Sequence, residues 1–197
     1  MNANHKTKKI AVMAMLVALS VVMVFLIHFP IFPAAPFLEY DPADIPILIG
    51  AFAYGPVAGL VLTVIASLIQ GFTVSLGAGL YGILMHIIAT ATLVVIASAI
   101  YRKKHTRTGA VIGLICGTIA MGLIMMVANH FITPFFMGAP VEAVDAMLLP
   151  IILPFNLIKA GVNSLVTFVV YKAVSRYIVH GEPMKGKKSE VALDSEA

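Results

Sequence analysis

From Leu148 to Tyr171 the chain is apolar over a membrane-spanning length, except on one side. Asn156, Lys159 and Asn163 fall at i, i+3 and i+7, so on a helix they form a single polar stripe. A lysine near the middle of a span costs about 2.5–3.5 kcal/mol to insert. The stripe must therefore face a protein interior or a ligand cavity, not lipid. That requirement calls for a bundle of further helices around this one, and it marks where function is expected.

The rest of the sequence supplies such a bundle. The chain is 60% hydrophobic and 11% charged, with a mean hydropathy of +1.01, against about 25% charged residues in soluble domains. It reads as an integral membrane protein with one membrane domain over 1–180 and a polar tail over 181–197, expected to be disordered. Cys116 is the one cysteine and has no internal disulfide partner. A four-ligand zinc cluster is not expected from scattered histidines. Lys6, Lys8 and Lys9 before an apolar run have the outline of a signal peptide. The run from Ile10 to Phe29, however, is about 20 residues long and lacks a small-x-small cleavage site, so it reads as a retained span.

Charge sorts the topology. Basic clusters fall at Lys6/Lys8/Lys9, at Arg102-Lys103-Lys104 with Arg107, and at Lys172/Arg176, whereas Glu39, Asp41, Asp44, Glu142 and Asp145 lie between them. The positive-inside rule puts all three clusters in the cytoplasm, so an even number of crossings separates each pair. Ala110 to Tyr171 gives two spans, separated by an outer loop over 134–145. Ile10 to Tyr101 gives three apolar runs, at 10–29, 45–72 and 80–101, and an odd number would leave Arg102 outside. A break at Gly55-Pro56 restores the even count, because a helix tolerates that dipeptide poorly. The alternative is five spans with one long tilted helix. The break leaves Asp44–Tyr54 only about 16 Å long at 1.5 Å per residue. Short interrupted segments at membrane depth occur where protein or a cavity covers them, often beside a binding site. The expected fold is all-α: six transmembrane helices with a short second helix, and both termini cytoplasmic.

Several smaller signals are weighed against plainer readings. Ala14-x-x-x-Ala18, with Ala11, gives the first span a small-residue face that permits close helix approach, although alanine is common in membrane helices. Asn129-His130 lies near the outer end of the fifth span. Asn129 is assigned to a ligand, His130 to the interface. His86, with Thr90 one turn on, is expected to bond a neighbouring helix rather than a metal. Gly77-Ala78-Gly79-Leu80-Tyr81-Gly82 only superficially resembles a phosphate-binding loop. It follows a helix, lacks the lysine, and reads as an outer loop with close backbone packing. The segment from Pro30 to Asp44 is stiffened by Pro30, Pro33, Pro36 and Pro42 and carries aromatic side chains. It reads as a lid bearing Asp41, with Asp44 as the N-cap of the next helix.

Together these pieces resemble a known family. Ala14-x-x-x-Ala18, Leu38-Glu39-Tyr40-Asp41 before Asp44-Ile45-Pro46, Tyr54-Gly55-Pro56-x-Ala58-Gly59, Asn129, and Ile152-Leu153-Pro154-Phe155-Asn156-x-Ile158-Lys159 are similar to the S components of energy-coupling-factor (ECF) vitamin transporters. The last string and the Leu-x-x-Asp loop most resemble the riboflavin-specific type. The resemblance covers nearly all of the chain up to Lys172. It implies a multi-pass protein of a bacterial plasma membrane that captures riboflavin or a close flavin from outside. It further implies partners: a transmembrane coupling subunit and two ATPases. It assigns ligand contact to Leu38, Asp41, Asn129, Asn156 and Lys159, which the polar stripe extends to Asn163. Ala14 and Ala18 would pack on the coupling subunit.

One region departs from that type. Riboflavin members carry a Glu and a Lys-Asn pair on the third helix and Gly-Glu-x-x-Asn at the start of the fourth. Here the stretches read Leu62-Thr63-Val64-Ile65-Ala66-Ser67 and Leu80-Tyr81-Gly82-Ile83-Leu84-Met85-His86, so a less polar wall is expected. A flavin offers a flat, largely apolar ring with acceptors at one end and a polyhydroxyl tail, which amide donors and one cation near an apolar wall suit. No cofactor, metal or nucleic acid is expected. Three other readings remain. One is an S component for a different water-soluble vitamin or precursor. A self-sufficient secondary transporter should show internal repeats, and none is evident. An enzyme using His86 or His130 as a base would need a carboxylate or nucleophile at matching depth, and the spans contain none.

Overall fold

A computed structural model describes residues 3–178, with side chains described over 6–171. The expected tail, 181–197, and the side chains of Lys172 and Arg176 lie outside the described residues. Helix α1 (Ala3–Leu26) leads into a segment holding two short strands, β1 (Phe29–Pro30) and β2 (Glu39–Tyr40). The strands pair antiparallel, Phe29 opposite Tyr40 and Pro30 opposite Glu39. Then come α2 (Asp44–Tyr54), α3 (Pro56–Gly71), a 3-10 turn (Leu76–Ala78), α4 (Gly79–Lys103) and α5 (Arg107–Met137). The last span is composite: α6 (Val141–Met147), a π turn (Leu148–Ile152) and α7 (Leu153–Ile178).

The break at Gly55-Pro56 is present. Gly55 adopts φ 93°, a region that favours glycine, and Pro56 opens α3 at a position where its missing N–H costs nothing. The tilted single helix over 45–72 is thereby replaced by two helices. Nine of the eleven residues of α2, Asp44 to Phe52, are buried, which is what makes so short a helix tenable. It packs against α1, α3, α4 and α7. At its far end Phe52 stacks on Tyr101 and Tyr171, with ring centroids 4.7 and 5.3 Å away.

Among the described residues four helices are long and apolar enough to cross a membrane: Lys6–Leu26, Leu76–Lys103, Arg107–Met137 and Val141–Tyr171. The shorter α2 and α3 complete the six-helix set. Their outward faces are apolar, with Ile115, Leu123, Leu149 and Val169 all exposed, as a surface solvated by lipid requires. At α4 and α5 glycine lets two helix backbones approach closely. A Cβ built at Gly113 would lie 2.6 Å from the Ala97 carbonyl oxygen, and one at Gly117 2.8 Å from that of Leu93.

Three expectations are corrected. The loop over 134–145 shrinks to 138–140, because α5 runs through Pro134 to Met137. Proline falls in the last turn, where its missing N–H removes a single bond. Gly138, left-handed at φ 60°, then ends the helix, with the Ala139 N–H donating to the Pro134 carbonyl at 3.1 Å. Asp44 is not an N-cap. It is the first residue of α2, and its carboxylate accepts bonds from other helices. The 77–82 stretch is a loop only up to Ala78, since α4 begins at Gly79. It is tight only at Gly82, whose Cβ would lie 2.5 Å from that of Ala78, whereas one at Gly77 or Gly79 would meet nothing within 4 Å. Gly79 is instead suited to its φ of 53°.

The α4–α5 contact yields a paired prediction. Gly113→Val should destabilise the protein by about 1–3 kcal/mol through forced separation of the two backbones. Gly161→Ala, where nothing lies within 4 Å, should not. Thermal unfolding in detergent measures both, and equal melting of the two variants would contradict the packing described.

Candidate ligand cavity

A cavity of about 430 Å³ opens at the end of the bundle that carries the 27–43 and 72–78 segments. That size falls within the range of ligand pockets. Its apolar walls come from Phe37 and Leu38 of the first segment, Met121, Met125 and Phe136 of α5, and Phe155 of α7. Asp41, Asn129, Asn156 and Lys159 also line it, so five of the six ligand residues expected from sequence converge on one space. Asn163 does not join them.

The polar groups are held from below. Lys159 Nζ donates to Asp41 Oδ2 at 2.6 Å, and both residues are buried. Asp41 Oδ1 accepts from the Ala43 N–H at 3.0 Å. Burial alone would raise the Asp41 carboxyl, but the Lys159 ammonium beside it holds it below its usual range. One turn along α7, Asn163 Nδ2 donates to the Asp41 carbonyl at 3.0 Å and to Asp44 Oδ2 at 2.9 Å. Its Oδ1 accepts from the Tyr40 hydroxyl at 3.0 Å. The other Asp44 oxygen accepts from Thr90 Oγ1 of α4 at 2.6 Å. With both amide hydrogens and its carbonyl engaged, Asn163 is fixed as a structural tie rather than a wall of the cavity.

The two cavity asparagines are arranged differently. Asn156 Nδ2 donates to the Ile152 carbonyl at 2.8 Å, and Asn129 Nδ2 to that of Met125 at 2.7 Å. Each amide bonds back along its own helix, and the π turn just before α7 supplies the carbonyl for Asn156. Asn129 Oδ1 accepts from Thr133 at 2.7 Å. The Asn156 carbonyl accepts no hydrogen bond from the described residues.

The 27–43 segment covers one side, as a lid would. Ala35 and Leu38 pack against Val144, Ile152 and Phe155, with Ile31, Phe32 and Phe37 around them. His130 stands away from the cavity, partly exposed and 2.6 Å from Asp145. Ala14 and Ala18 lie on an exposed face of α1.

The wall expected to be less polar is not apolar. Ser67 and Gln70 of α3 and His86 of α4 all line the cavity. His86 does bond a neighbouring helix, with Nδ1 2.7 Å from Ser67 Oγ, and it faces the cavity as well. Thr63, Ser67 and Gln70 recur at i, i+4 and i+7. This is the same signal as the stripe on the last span, but it lacks a charge to draw attention to it.

The family described as "ECF transporter, substrate-specific component" matches residues 8–171. The chain belongs to this family. It is 30% identical over 180 residues to the riboflavin transporter RibU of Staphylococcus aureus (strain TCH60), covering 88% of this chain and 94% of that one. To the riboflavin transporter FmnP of Bacillus subtilis (strain 168) it is 30% identical over 182 residues, covering 88% and 95%. A solved structure of the S component of a bacterial ECF transporter superposes with a TM-score of 0.76 at 29% identity, covering 88% of this chain and 98% of that one. This S component is accordingly a transport subunit, not an enzyme, and a multi-pass protein of a bacterial cell membrane.

Two predictions follow from the polar knot of this S component. Lys159→Met strands a buried carboxylate and should cost about 3–5 kcal/mol of stability. Asp41→Asn combined with Lys159→Met removes both charges and should recover most of it. Asn163→Leu leaves Asp44 short of a donor and should cost about 3 kcal/mol while the cavity walls stay in place. Thermal unfolding of the three variants in one detergent tests this, and a double variant no more stable than Lys159→Met would contradict the pairing.

Proposed function

We propose that this S component captures riboflavin, or a close flavin, in the cavity between the 27–43 segment and helices α3, α4, α5 and α7. Leu38, Asp41, Asn129, Asn156 and Lys159 contact the ligand. Both termini lie in the cytoplasm, so the cavity opens outward. The observation that carries this reading is the convergence of two amides and one ammonium on a space of about 430 Å³ walled by Phe37, Phe136 and Phe155. A flat ring system with acceptors at one edge suits such walls. That the relatives compared above are named riboflavin transporters supports the same ligand.

Delivery inward uses a transmembrane coupling subunit and two ATPases, because the chain has no phosphate-binding loop of its own. The small-residue face of α1 at Ala14 and Ala18 docks that coupling subunit, since small side chains permit close helix approach.

The test of the ligand is direct. The protein purified from flavin-containing cells should carry a yellow chromophore. The ligand-free protein should quench riboflavin fluorescence on titration. A colourless protein indifferent to riboflavin would end this reading.

The docking reading has its own test. Ala14→Trp with Ala18→Trp should abolish uptake in cells that contain the coupling subunit and ATPases, yet leave riboflavin binding by the isolated subunit unchanged. Uptake equal to that of the parent would refute the docking face. Uptake without any ATPase would instead indicate a self-sufficient transporter.

A further inference from the structure

The cavity contains one buried polar atom that nothing in the protein uses. His86 Nε2 is enclosed and has no hydrogen-bond partner among the described residues. An unsatisfied buried nitrogen costs about 1–3 kcal/mol, and each such atom in a folded protein calls for an explanation. His86 lines the ligand cavity with Nε2 itself enclosed, so a ligand there supplies the missing partner once the ring or its neighbours shift to admit it.

The neighbouring bonds fix what kind of partner it must be. Ser67 Oγ lies 2.7 Å from the Thr63 carbonyl oxygen and 2.7 Å from His86 Nδ1. A carbonyl has no hydrogen to give, so the single Ser67 hydroxyl proton goes to Thr63. The bond to the imidazole is then made only if His86 Nδ1 carries a proton and donates to Ser67 Oγ. A neutral ring with its proton on Nδ1 has a bare lone pair on Nε2. Through this serine relay the α3 backbone sets the histidine tautomer, and a residue of the cavity wall keeps an unused acceptor.

We infer that His86 Nε2 accepts a hydrogen bond from an N–H or O–H of the bound ligand, and so selects for ligands with a donor at that position. The inference rests on the flavin reading above and deepens it. In the same cavity Lys159 is a donor and Asn156 has a free carbonyl. His86 adds another acceptor, from the wall where the sequence departs from the riboflavin-type pattern. A flavin has donors of both kinds: the imide N–H of the ring and the hydroxyls of the ribityl chain.

The test compares His86→Phe and His86→Gln by fluorescence titration with riboflavin, 3-methylriboflavin and lumiflavin. Phenylalanine keeps a ring of similar shape without the acceptor. Glutamine returns an oxygen to nearly the place of Nε2. For riboflavin, His86→Phe should weaken binding about tenfold, and His86→Gln should recover most of the loss. The loss caused by phenylalanine should disappear for whichever analogue lacks the donor in question, the imide N–H in 3-methylriboflavin or the ribityl hydroxyls in lumiflavin. Unchanged riboflavin affinity in His86→Phe overturns the inference. So does a loss of the same size for all three ligands, which would mean that His86 acts through shape alone. If the parent itself fails to bind any flavin, the flavin reading falls and this inference falls with it.

Discussion

Two buried carboxylates, Asp41 and Asp44, hold the cavity end of this protein together. They sit three residues apart where the chain turns from the 27–43 segment into α2. Lys159 and Asn163, one turn apart on α7, meet them, and Thr90 of α4 completes the set. Buried charges are stable only when paired and hydrogen-bonded, so once these groups are inside, the segment, α2, α4 and α7 are fixed relative to one another. The cavity is the space that this arrangement leaves beside it.

The same constraint explains how so short a helix serves at the centre of the bundle. α2 has 11 residues and is buried over nearly all of its length. A segment that cannot cross a bilayer must be covered by protein. Its start is anchored by the Asp44 bonds, its end by the turn at Gly55 and the aromatic contacts of Phe52. Polar ties at one end and ring packing at the other give it a fixed height, and with it a fixed position for Asp41.

The buried ion pair leaves hydrogen-bonding capacity unused on the cavity side. Lys159 uses one of its three ammonium hydrogens on Asp41, which leaves two unused by the described residues with the pair intact. The carboxylate then acts as an orienting group for the cation. Between α3 and α4, Ser67 does the same for His86. Both pairs follow one design, in which one cavity-lining group is oriented by a hydrogen bond to another.

Much of this was legible in the chain itself. The membrane class, the break at Gly55-Pro56 and the inward stripe of the last span follow from the cost of polar groups in lipid and from local backbone chemistry. Both act along one helix at a time, so the sequence by itself determined them. Tertiary structure alone decided which member of a stripe meets the cavity. Asn156 and Asn163 have the same side chain and lie on the same face, yet one offers a free carbonyl and the other is fully bonded, because only the second has Tyr40, Asp41 and Asp44 beside it. Asp44 looked like a helix cap and His86 like a simple interhelical bond for the same reason. Their roles depend on what Thr90, Asn163 and Ser67 bring from other helices, and no spacing within a single helix encodes that meeting.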